Sequence, residues 1–322
     1  YTEKEKDRMK YIVKKTGTLI ITLLIVSFLS FMAFSVIPGD AAKSKLGTEA
    51  TKEQVEALQH EMGLDKPVLV RYGLWLKDFV TGDMGESYSY SMPVQEMIGD
   101  KIPVNITMVL MGFFIILLFS IPLGIFTAQH EGGKLDRFLM ICNQVIMSVP
   151  GFFLGILITY IFGLVLKWFT PGAYVSPREN FGGFLAYLAA PSIAIALPKS
   201  AMAVKMLRSS VITQLRMDYV RTAYSRGNRA GRVLYRHVLK NALIPVLTFW
   251  AMTIADIMAN SIILEQVFTI PGMGSLLITS ISNRDYPVVQ GIIVLIAAMV
   301  VIINFAVDIL YGKIDPRIRM DA

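Results

Sequence analysis

DYVRTAYSRGNRAGRVLYRHVLKNALIP, residues 218–245, is the most basic stretch of a strongly apolar chain. From Lys205 to Lys240 the cations are Lys205, Arg208, Arg216, Arg221, Arg226, Arg229, Arg232, Arg236 and Lys240, and Asp218 is the only acid among them. Long apolar segments flank the stretch on both sides. Short loops rich in Lys and Arg resist translocation, so this loop is expected in the cytoplasm. Met217 to Ser225 lacks Pro and Gly and predicts a short helix, with Gly227 as its stop. A second helix is expected after it. There Arg229, Arg232, Arg236 and Lys240 recur at steps of three and four on one face, and Pro245 limits it.

Composition bounds the class. The chain has 322 residues, 54% of them hydrophobic, a composition typical of a polytopic membrane protein. Its net charge of +7 sits at the ends of apolar segments, which argues against nucleic-acid binding. The lone Cys142 cannot form an intrachain disulfide, and His60, His130 and His237 follow no metal-ligand spacing. No P-loop, Gly-x-Ser-x-Gly or His-Glu-x-x-His motif is present, so no catalytic site is expected. The first apolar run is a full span without a small-residue cleavage site.

In chain order, residues 1–15 are basic and precede a span from Thr16 to Ile37, which ends at Pro38-Gly39-Asp40. Residues 41–103 are polar, with more acids than bases, and are expected outside. Thr51 opens a capping box with Gln54, and Val68, Tyr72, Leu76 and Phe79 stripe a second short helix. Gly82 to Ser87 reads as a turn. Further spans are expected at Val104–Ala128, Phe138 to about Leu166, Phe184–Val204, Leu243–Leu264 and Val288–Leu310. Pro191 and Pro198 are read as breaking the fourth, and Val267–Pro287 as an external re-entry turning at Pro271-Gly272-Met273-Gly274. Prolines within spans suit helices that bend or line a cavity, with the freed carbonyls satisfied by neighbours. The result is an all-α polytopic protein with six transmembrane helices and both termini cytoplasmic.

The loop resembles the cytoplasmic EAA loop of importer-type ABC transporter permeases, in the oligopeptide, dipeptide and nickel branch and in its first (B-type) permease form. Ala223 and Gly227 match the motif's Ala-x-x-x-Gly, and Arg236, His237, Asn241, Ala242 and Pro245 match its ending. Arg221 stands at the motif's glutamate position, and the Gly-to-Pro spacing is longer than in sugar permeases. GLDKP (63–67), the GD-x-G-x-S turn (82–87), EQVFTIPGMG (265–274), NRDYPVVQG (283–291) and DPRIR (315–319) are similar to the same branch.

The resemblance implies a type I ABC importer permease fold in a bacterial plasma (inner) membrane. Residues 1–37 would be a cytoplasmic N-terminus and first helix, 38–103 an extracytoplasmic cap, 104–312 a five-helix core with a coupling loop at 205–244, and 313–322 a cytoplasmic tail. It implies a second homologous permease, two ATPase subunits, an extracytoplasmic substrate-binding protein and a peptide substrate. ATP and Mg would sit on the ATPase subunits, and no cofactor on this chain. Asp218, Tyr219, Val220, Arg221, Thr222, Ala223 and Gly227 would couple to the ATPases.

A charged residue within a span is costly, so it faces the bundle interior or water. Asp256 and Asn260, four apart, share a face. They read either as part of the translocation path or as a hydrogen-bonded link to a neighbouring helix. Glu265 lies at the expected outer mouth, as a gate residue. Asp308 is expected to pair with a loop arginine, and Asn143 and Gln144 to bond between helices. A nickel or metallophore importer permease of the same family stays open as an alternative. So does a secondary transporter, although no inverted repeat is seen.

Overall fold

Apolar runs without water around them must satisfy every backbone group internally, and these runs do so as helices. The computed structural model describes residues 2–36, 51–61 and 66–314. The Pro38-Gly39-Asp40 turn, Met62 and Gly63-Leu64-Asp65, the side chain of Asp308 and the DPRIR tail lie outside the described residues. Among the described residues no strand forms beyond one bridge between Glu86 and Pro93.

The elements are α1 (Thr2–Val36), α2 (Lys52–Glu61), α3 (Val68–Thr81), α4 (Val94–Gly99), α5 (Ile102–Gln129), α6 (Lys134–Ser148) and α7 (Gly151–Ile158). A π-helical stretch, Thr159–Val165, continues α7. Then come α8 (Phe181–Leu215), α9 (Asp218–Ser225), α10 (Ala230–Val233), a π-helical turn at Leu234–Val238, α11 (Leu239–Val267), α12 (Met273–Ser282) and α13 (Tyr286–Ile314). Among the described residues, five helical stretches are long and apolar enough to cross a membrane: within α1, α4–α5, α8, α10–α11 and within α13. The pair α6 and α7, bent by 97°, makes a sixth if counted as one span.

Two expectations about proline need correcting. Pro191 and Pro198 do not break the fourth span, and Pro245 does not end a helix; both α8 and α11 run through them. The carbonyl that Pro198 leaves without a helical donor is that of Ala194. It lies against Gly151 of α7, where a built methyl would sit 3.5 Å from the oxygen. The third span, read as one run from Phe138 to Leu166, is instead interrupted at Val149-Pro150. Val149 is extended (φ −93°, ψ 124°), the conformation a following proline favours, and Gly151 adds a second helix-weakening residue.

The chain divides into two compact units. The first takes in the described residues up to Val104 together with Pro271–Leu310. Here α1 meets α3 through Ser27 Oγ and Tyr72 OH, 2.8 Å apart, and through Phe31 packing on Tyr72 and Trp75. The predicted capping box forms: Gln54 N donates to Thr51 Oγ1 and Thr51 N to Gln54 Oε1. The predicted turn at 82–87 forms too, and it is pinned by a residue the sequence reading passed over. Asp285 is fully buried. Its carboxylate accepts from Ser87 Oγ at 2.5 Å, Tyr88 N at 3.0 Å and Ser89 N at 3.3 Å. Burial, and then the nearby Asp285 charge, push the Tyr88 phenol up to about 12, so it stays neutral at any physiological pH.

Asp285→Ala should cost about 3 kcal/mol, because one hydroxyl and two amides lose a charged partner at once. Limited proteolysis across residues 82–92 should speed up by at least about tenfold if that cost is local. An unchanged cleavage rate would show that the turn holds without Asp285.

The second unit is Asn105–Ile270. Its centre is α8, which packs on α6, α7 and α11. Asn143 Nδ2 donates to the Ala201 carbonyl at 2.5 Å, and Lys205 Nζ reaches Gln144 Oε1 at 3.4 Å, the interhelical bonds expected of these amides. At its other end α8 is fixed by Tyr187, whose hydroxyl donates to the Phe268 carbonyl at 2.6 Å and accepts from Gly172 N. Gly155 lets α7 and α11 touch, since a methyl there would lie 2.6 Å from Leu264 Cδ2. With 35 residues, α8 is about 52 Å long at 1.5 Å per residue, well beyond the roughly 30 Å hydrocarbon core. One end must therefore project into water, and the chain there turns into α9.

Candidate functional site

Helix α9 has eight residues, too few to stand alone in water. Val220 and Ala223, three apart, are both buried and anchor it. Tyr219 OH donates to Gln214 Oε1 at 2.8 Å, tying α9 to the end of α8. Gly227 adopts φ +76°, the left-handed conformation expected at the stop. Asn228 Nδ2 closes the end by donating to the Ala223 carbonyl at 3.0 Å.

This geometry divides the predicted coupling residues. Val220 and Ala223 face the chain itself, whereas Asp218, Arg221 and Thr222 are exposed, together with Tyr224 and Ser225. Arg229, Arg232, Arg236 and Lys240 are exposed as well. Arg229 precedes α10 instead of lying within it, and the π-helical turn Leu234–Val238 interrupts the regular spacing between Arg232 and Lys240.

An ion pair joins α6 to α8. Arg208 grips Asp136 with both ends of its guanidinium, Nε to Oδ1 at 2.8 Å and Nη2 to Oδ2 at 2.7 Å. Gly132 N adds a third bond to the same carboxylate. The Asp136 side chain is 3% exposed, so the pair is largely desolvated. Arg216 adds an exposed contact to Glu131 at 2.9 Å.

Among the span residues, Asp256 and Asn260 come together as their spacing predicts. Asn260 Nδ2 donates to Asp256 Oδ1 at 3.0 Å and to the Asp256 carbonyl at 2.8 Å. The sequence reading missed their third member. Lys199 of α8 pairs with Asp256 Oδ2, linking α8 to α11. The signal was available: a lone cation and a lone acid stood in two different spans, and intramembrane charges pair.

Glu265, expected at an outer mouth, is fully buried. Asn105 Nδ2 donates to its Oε1 at 2.6 Å, and Ser261 Oγ lies 3.5 Å from the same oxygen. These bonds tie α5 to α11. No group of three or more His, Cys, Asp or Glu side chains arranged to hold a metal occurs among the described residues.

Known proteins match this sequence over nearly the whole chain. Residues 120–320 match the family model described as "Binding-protein-dependent transport system inner membrane component", and residues 8–109 match the N-terminal model of such membrane components. A Brucella abortus protein named for a peptide transport system is 36% identical over 310 residues, covering 96% of this chain and 99% of that one. The dipeptide transport system permease DppB of Alkalihalophilus pseudofirmus is 33% identical, covering 97% and 99%. The oligopeptide transport system permease AppB of Bacillus subtilis is 32% identical, covering 96% and 99%. In fold, the chain is similar to one from inward-facing structures of the MetNI methionine ABC transporter, with a TM-score of 0.55 at 15% identity, covering 68% of this chain and 96% of that one. Members of such systems work with other ABC-transporter components and a substrate-binding protein. This chain, a multi-pass inner-membrane protein, belongs to the family of binding-protein-dependent transport system inner membrane components, the permease subunits of ABC importers.

Proposed function

We propose that the chain forms half of the translocation pathway of an ATP-driven importer of oligopeptides or dipeptides. The observation that carries this reading is full-length relatedness, at 32–36% identity, to proteins named for peptide transport. The partners would be a second homologous permease, two ATPase subunits and an extracytoplasmic binding protein. ATP and Mg bind the ATPases, and this chain catalyses nothing itself. Residues 38–103 form an extracytoplasmic cap region, and the basic loop and both termini lie in the cytoplasm.

Coupling runs through α9. Its exposed face, Asp218, Arg221 and Thr222, docks on an ATPase, while Val220, Ala223 and Tyr219 transmit the movement to α8. Asp256 and Asn260 line the path. Glu265 belongs to the gate through its bond to Asn105, a link between two spans that must re-form if those spans move apart.

The test is purification from the native membrane followed by reconstitution. A second permease and two ATPases should co-purify, and proteoliposomes should take up tri-alanine only with ATP and the binding protein. Uptake by the chain alone, without ATP, would overturn the importer reading.

A further inference from the structure

Lys199 and Asp256 lie 57 positions apart, on α8 and α11. In the isolated chain 30% of the Lys199 side chain and 42% of the Asp256 side chain are exposed. Hydrocarbon cannot cover that surface, because a charge facing lipid is costly. The pair therefore opens toward water or polar groups.

A cavity of about 460 Å³ adjoins it, at the break between α6 and α7. Its volume falls within the roughly 300–1,000 Å³ of small-molecule sites. Lys199 and Asn260 stand in its wall, with Ser148 and Pro150 at the break and Ile195 and Leu264 supplying apolar surface. Lys199 is the one charged side chain in that wall; Asp256 does not reach it. Asn260 holds one Asp256 oxygen, and Lys199 holds the other. An ammonium has three donors, and a part-exposed ion pair is weak enough to exchange partners.

We propose that this cavity is a station on the import path for the C-terminal carboxylate of a peptide, where Lys199 trades Asp256 for the substrate carboxylate. The proposal rests on the peptide-import reading and deepens it. A cation in the wall selects an anion, and the apolar surface beside it receives the neighbouring side chain. Asp256, still held by Asn260, restores the pair once the substrate has moved on. Lys199 is thus never left as an unpaired charge between two dielectric environments.

The test uses the whole reconstituted complex with its binding protein loaded to saturation by tri-alanine or by tri-alanine amide, the loading being measured separately. The wild type should import the free acid at least about tenfold faster than the amide, the discrimination expected from losing one charge-assisted bond. Lys199→Gln should bring the ratio of acid to amide uptake down to about one. The double variant Lys199→Met/Asp256→Leu removes both charges together, which membrane helices tolerate better than one orphan, and should erase the preference in the same way. A ratio of acid to amide uptake that is the same in the wild type and both variants overturns the station alone. Uptake of neither peptide by the wild type overturns the peptide-import reading, and the station with it.

Discussion

Ala223→Arg is expected to strip the ATPase subunits from the complex and to lower ATP-dependent uptake by at least about 30-fold, the effect of losing one interface hot spot of about 2 kcal/mol. The reason lies in packing. Ala223 is buried against the chain, so an arginine there must either bury an unpaired charge or lift α9 from its seat. Burying the charge costs about 3–5 kcal/mol, more than an eight-residue helix can supply, and the helix therefore lifts. Arg221→Glu probes the same interface from the other side. Its side chain is 82% exposed and only loosely paired with Asp218 at 3.8 Å, so the chain itself should fold unchanged. Loss of ATPase co-purification in both variants, with normal thermal unfolding of the permease in Arg221→Glu alone, is the expected pattern. An intact, active complex carrying Ala223→Arg would show that coupling runs elsewhere.

The second large effect is at Arg208. Truncation to leucine leaves the Asp136 carboxylate desolvated, with only the Gly132 amide to satisfy it. A cost of about 3 kcal/mol is expected, the lower end of the range for an orphaned buried charge, because the Arg208 side of the pair is still about a quarter exposed. Removing both charges, in Asp136→Leu/Arg208→Leu, should recover most of that cost. A double-mutant cycle on thermal unfolding in detergent reads the difference. A double-variant cost equal to the sum of the two single-variant costs would mean that the pair carries little coupling energy. Uptake supplies a second readout. Since α8 joins this pair to the Lys199 region and leads directly into α9, the double variant should be stable yet impaired in linking ATP hydrolysis to import.

The helices, the short α9 included, were legible because each rests on local signals. The apolar runs mark the spans, Gly227 marks the end of α9, and Thr51 with Gln54 marks the start of α2. Interactions between distant residues were not legible. Nothing near Asp285 in sequence announces Ser87, 198 positions away, and nothing near Asp136 announces Arg208, 72 positions on. The prolines misled because their effect is decided by surroundings. Pro191, Pro198 and Pro245 stay helical within α8 and α11, whereas Pro150, followed directly by Gly151, does not. Burial divided residues that a motif treats alike: Val220 and Ala223 anchor α9, while Arg221 and Thr222 are exposed. Glu265 ends an apolar run, but nothing beside it in sequence announces its bonds to Asn105, 160 positions away, and to Ser261.

The Lys199–Asp256 pair also constrains how the chain is made. Synthesis delivers α8 to the membrane before α11 exists, and the 57 residues from 200 through Asp256 take roughly 3 to 11 s to add at about 5–20 residues per second. Throughout that interval Lys199 is an orphan cation in the least apolar of the five single spans, at an insertion penalty of about 3 kcal/mol. A lipid-facing resting place carries that penalty for the nascent helix. A place at the insertion machinery, or against α6 and α7, which have already emerged, avoids it until Asp256 arrives. The fifth span is thus what first lets the fourth settle with its charge neutralised.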